Sequence, residues 1–125
     1  LNDADGKFTL PSISSATPND PTSPDQANNI GASFFFYVET AATDLDILTD
    51  GTDKFVGAVI VAIDDSTKKA FVPAASNDVI TLNGSTKGGI VGSVIKVTAI
   101  DTATYLVHDS LLIGSGTIVT PFADA

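Results

Sequence analysis

The chain has 125 residues and a formal charge of −9, from 15 Asp and Glu against 6 Lys, with no Arg, no Cys, no Met, no Trp and a single His. Without Cys, a disulfide scaffold, Cys-ligated zinc and thiol catalysis are excluded, and so acidic a surface disfavours direct contact with nucleic acid, whose phosphates call for dense Lys and Arg. Hydrophobic residues make up 43% and the mean hydropathy is +0.27, too apolar for a disordered chain, yet the longest apolar run, Val56 to Ile63, is strand-sized and far short of the ~20 residues of a membrane span.

The length predicts one domain. The chain begins at Leu1, as expected of a processed or trimmed start. Residues 1–30 read as an extended, Pro-rich N-terminal arm. Pro11, Pro18, Pro21 and Pro24 fix φ and remove donors there, leaving Phe8, Leu10 and Ile13 as the groups able to pack. Such an arm is either a loose tail or a strap that orders on a neighbour. Residues 31–125 read as a β domain.

Gly31 to Glu39 holds Phe34, Phe35, Phe36 and Tyr37 and predicts a strand, with Phe34 and Phe36 on one face and Phe35 and Tyr37 on the other. Thr43 to Lys54 reads as an acidic loop. Phe55 to Ile63 has the continuous apolar character of a central strand, and the turn Asp64–Lys69 folds it back on Ala70-Phe71-Val72 as a hairpin. Asp78 to Leu82 is a short strand ended by Asn83-Gly84, a tight-turn signal. Ser93 to Ile100, Thr104 to Val107, Leu111 to Ile113 and Thr117 to Phe122 complete the set. Helical periodicity is nearly absent. Seven to nine short strands with turn signals every 8–12 residues predict an all-β fold, a small jelly-roll-like β-sandwich or β-barrel. Its strands are apolar on both faces, which requires cover from a second sheet or a neighbouring subunit.

Few groups offer chemistry. Asp44, Asp46, Asp50 and Asp53 are calcium candidates, since calcium takes six to eight oxygens, but Ile47-Leu48 interrupts the EF-hand spacing and a solvated turn is the plainer reading. Asn2–Lys7 contains a shorter Asp-x-Asp-Gly of the same kind. His108-Asp109-Ser110 holds the three residue types of a hydrolase triad, yet neighbours on a strand face opposite ways, which leaves His108 as a satisfied polar group at a strand end. Gly88–Gly92 precedes a strand, not a helix, and does not fit a phosphate loop. Paired carboxylates for glycosidic chemistry carry no specificity in a chain with this many acids. Asn83-Gly84-Ser85 matches the glycosylation pattern but reads better as a turn.

Gly92-Ser93-Val94-Ile95-Lys96-Val97, then Thr104-Tyr105-Leu106-Val107, then Leu111-Leu112-Ile113-Gly114-Ser115-Gly116-Thr117 and a closing Thr120-Pro121-Phe122 form one texture. With Phe34 to Val38 and the acidic loop after it, this texture resembles small virion proteins of tailed bacteriophages, particularly marine and cyanobacterial ones. The resemblance covers roughly Gly31 to Phe122. It implies a non-enzymatic capsid decoration or cement protein on the outside of the virion that binds the major capsid protein and stabilises the head. It also implies assembly as a homo-oligomer with no cofactor, and the charge and the short apolar runs speak against direct contact with nucleic acid or membrane. The alternatives are a structural module of a tail, fibre or surface filament, and a calcium- or carbohydrate-binding module. The expected interface residues are Phe8, Leu10, Ile13, Phe34, Phe36, Pro121 and Phe122.

Overall fold

The computed structural model describes residues 1–14 and 29–125. Among them there is no helix, and ten strands form two mixed sheets packed as a small sandwich that does not close into a barrel. In chain order the strands are β1 (Lys7–Thr9), β2 (Ser33–Tyr37), β3 (Leu45–Leu48), β4 (Lys54–Gly57), β5 (Val59–Ala62), β6 (Lys68–Phe71), β7 (Val79–Leu82), β8 (Val94–Ala99), β9 (Thr104–Ile113) and β10 (Phe122–Ala123). The smaller sheet runs β1-β3-β7-β10. The larger runs β2-β8-β9-β5-β6, with β4 beside the first half of β9.

Period-two alternation builds the core. Phe36, Val59, Val61, Ile95, Val97 and Tyr105 point inward from the larger sheet and meet Leu45, Ile47, Ile80 and Leu82 from the smaller one. The expected single strand from Phe55 to Ile63 is two. Gly57 has φ near +98° and lies so close to the Val107 carbonyl that a Cβ would fall 2.2 Å from its oxygen. The chain turns there, and β4 and β5 pair in parallel with successive halves of β9. Conversely, Thr104–Val107 and Leu111–Ile113, read as separate strands, join into β9 across a bulge at Asp109, whose φ is +46°. The acidic stretch contains a strand not expected from sequence: β3 alternates buried Leu45 and Ile47 with partly exposed Asp46 and Leu48.

Residues 1–14 lie on the sandwich itself. β1 pairs in parallel with β3, and Leu10 (1% exposed) and Ile13 plug the core. Pro18, Pro21 and Pro24, the rest of the expected arm, fall outside the described residues. Five of the expected interface residues, Leu10, Ile13, Phe36, Pro121 and Phe122, are buried inside this one chain and so offer it no outward contact. They are apolar because the sandwich needs them. Phe34 is half-buried, edge-on to Tyr105, and Phe8 packs its ring against Phe36 while remaining partly exposed.

Candidate interaction surface

The outer face of the larger sheet is the feature that the fold leaves unexplained. A sheet with one face in water normally alternates apolar-in with polar-out along its strands. Here registration carries an apolar row straight across five strands: Tyr37 on β2 pairs with Val94 on β8, Val94 with Leu111 on β9, Leu111 with Ile60 on β5, and Ile60 with Ala70 on β6. The bulge at Asp109 makes this row possible. The extra residue resets the alternation of β9, so Tyr105, Val107 and Leu112 all face inward and Leu111 faces out, 47% exposed. Beside the row stands Phe35, 64% exposed, on a register line with Lys96 and His108.

A polar chain crosses the same face. Ser33 Oγ lies 2.6 Å from Thr98 Oγ1, which lies 2.7 Å from His108 Nε2, and His108 Nδ1 lies 3.1 Å from Asp109 Oδ2. His108 sits within β9, not at a strand end, and the bulge overrides the strict alternation that would have kept Asp109 away from it. Ser110 faces elsewhere: its hydroxyl donates to the His108 carbonyl and accepts from the Lys96 N–H. The hydroxyl on the imidazole is therefore Thr98. Paired residues of the ladder hold their backbone N–H groups in the plane of the sheet. The line ties the side chains of β2, β8 and β9 together across the face.

The four calcium candidates do not converge, and among the described residues no three acidic or imidazole groups gather around one point. Asp44 is exposed, and Asp46 lies 3.7 Å from the Lys7 ammonium. Asp50 heads a turn, accepting from the N–H groups of Thr52 and Asp53 and from the Thr52 hydroxyl. The Asp53 N–H and the hydroxyls of Ser12 and Thr52 hold its carboxyl well below the usual range. Asp53 is 3% exposed, and burial pushes its carboxyl up, opposed by the Ile13 N–H that donates to Oδ2 at 2.9 Å. The acidic loop is thus a clasp for residues 10–14. The Leu10 N–H donates to the Leu48 carbonyl, and the Tyr105 hydroxyl donates to the Pro11 carbonyl at 2.6 Å. Burial raises the Tyr105 hydroxyl, keeping it a donor.

The remaining motifs are turns. The Asn2–Lys7 motif places Asp3 Oδ1 on the Asp5 N–H. A Cβ on Gly88 would fall 2.6 Å from Leu112 Cβ, so that glycine serves packing and no anion. The Asn83 amide bonds the N–H groups of Ser85 and Lys87 and the Thr86 hydroxyl, closing its own turn.

Comparison with family models, characterised proteins and solved structures returns no match to this chain.

Proposed function

We propose that this chain is a non-enzymatic structural component of a phage virion, a decoration or cement protein that seats on the outside of the head by binding the major capsid protein. The observation that carries the reading is the apolar row from Tyr37 to Ala70 on the outer face of the larger sheet, with Leu111 and Ile60 at its centre. Apolar surface held in water by a rigid sheet is stabilised when a partner covers it. Resemblance to small virion proteins supports the choice of partner.

The size of the face also suits a lattice. Five strands at ~4.8 Å and five or six residues at ~3.4 Å give a footprint of roughly 400–500 Å². That is below the ~800 Å² per partner of a stable pairwise complex. One such contact is weak, and copies fixed on a repeating shell would gain from occupying many neighbouring sites together.

The test is occupancy of heads stripped of this chain and incubated with it, followed by mass spectrometry of the washed particles. A variant carrying Ile60→Asp and Leu111→Asp, both outward-facing, should stay folded by circular dichroism and lose occupancy. Occupancy equal to that of the unmodified chain would refute the reading. If instead the purified chain sediments as an extending series of oligomers, a tail, fibre or filament module becomes the better account.

A further inference from the structure

We infer that two copies of this chain pair edge to edge through β2, joining their larger sheets into one continuous sheet. The inference does not depend on the head-binding reading.

The ladder itself identifies the free groups. Val38 donates to the Ser93 carbonyl, and Ala99 donates to the Ala32 carbonyl, so the even-numbered residues of this strand bond to β8. The N–H and C=O of Ser33, Phe35 and Tyr37 therefore point away from β8, and β2 ends the sheet. The N-terminal amino group of Leu1 already donates to the Tyr37 carbonyl. Among the described residues, nothing pairs with the two donors and two acceptors that Ser33 and Phe35 keep on this edge.

Open edges are normally blunted with charge, or kept very short. The other edges here follow that rule: β1 carries Lys7, β4 carries Lys54, β6 carries Lys68 and Lys69, and β10 is two residues long and followed by Asp124. β2 differs. From Asn29 to Val38 no residue is charged, in a chain of net charge −9, and the strand reads Ser-Phe-Phe-Phe-Tyr. This is the edge on which a second equally acidic copy meets the least like charge.

The free groups are also self-complementary. An antiparallel pairing on a two-fold axis at Phe34 sets Ser33 opposite Phe35 of the other copy, and Phe35 opposite its Ser33. All four donors and acceptors of each copy's Ser33 and Phe35 are then used, and Tyr37 keeps its bond to Leu1. The exposed Phe35 ring gains a neighbouring strand to lie against, and the outer faces of the two larger sheets become one, with each copy's apolar row meeting the other copy at Gly31, opposite Tyr37.

Sedimentation velocity on the full chain and on two variants tests this. Ser33→Pro removes an edge-facing N–H and the hydroxyl contact with Thr98 while leaving the backbone hydrogen bonds to β8 in place, and Phe35→Lys places an ammonium on the edge strand. The unmodified chain should form a dimer, and each variant should weaken dimerisation by roughly tenfold or more while keeping its circular dichroism spectrum. The outward variant Ile60→Asp/Leu111→Asp should still dimerise. An unmodified chain that stays monomeric at several hundred micromolar would overturn the inference, even if Ser33→Pro lost binding to heads, because the edge would then serve a shell strand. A dimer that persists in both edge variants would overturn it too.

Discussion

Gly57 divides an apolar run because two constraints meet at one residue. Its φ near +98° disfavours any L side chain, and a Cβ would fall 2.2 Å from the Val107 carbonyl oxygen. Gly57→Ala should cost about 1–3 kcal/mol from the φ strain alone, and more from the displaced β9 backbone, measured by chemical denaturation. Asp53 makes the opposite case, a residue whose charge the fold tolerates. Burial raises its folded pKa above the unfolded value, so the stability that this shift contributes is fully present below the unfolded pKa and is lost as pH rises through the folded one. At neutral pH the buried carboxylate is therefore a net cost. Asp53→Asn keeps an oxygen to accept from the Ile13 N–H and removes the charge. It should be more stable than the unmodified chain at pH 7, and its advantage should shrink as pH falls through the raised pKa. Asp78 runs the other way. The Lys54 ammonium, 2.7 Å away, lowers its pKa, so its contribution is present above the ordinary carboxylate range and fades in acid. An Asp53→Asn advantage that grew on acidification would contradict the assignment.

Residues 1–14 act as an element of the sandwich, not as an appendage. Leu10 is 1% exposed, and β1 lengthens the smaller sheet beside β3. Leu10→Ala should cost about 2–5 kcal/mol in chemical denaturation, through lost transfer energy and the cavity left behind. A change under 0.5 kcal/mol would mean that the segment does not dock in solution. Proline content spoke for an arm, and it masked the pattern of Leu10 and Ile13, which fill the core by way of contacts distant in sequence. Most other strands were legible because local alternation and turn residues set them: β2, β7 and β8 fall where the pattern puts them, and the expected hairpin forms with its return strand, β6, starting at Lys68, two residues inside the expected turn. β3 was not, since only two of its four residues are buried and Asp46 breaks the hydrophobic run. The outer face was half legible. Apolar residues on both faces of the strands called for cover, but the row itself depends on cross-strand register and on the bulge at Asp109, and periodicity within one strand carries neither. The aromatic residues singled out as interface were mostly core, since Phe36 and Phe122 share their chemistry with Phe35 and differ only in which way the pleat turns them.

At the scale of the whole molecule, charge and apolar surface are segregated. The outer face of the larger sheet carries Lys68, Lys96, His108 and Asp109 among its apolar residues, while most acids occupy turns and the ends of strands. Two copies at −9 each repel over long distances, yet the surfaces proposed to join them hold little charge to pair. Salt should therefore strengthen self-association. Raising ionic strength from 0.01 to 0.15 M shortens the screening length from about 30 Å to about 8 Å, which removes most of the repulsion and leaves the apolar contact and the backbone ladder intact. Sedimentation equilibrium across that range should show the dimer constant tightening steadily. A constant that weakens with salt would point to ion pairs across the contact. That would place the interface on the Lys-bearing edges of β1, β4 or β6 and away from β2.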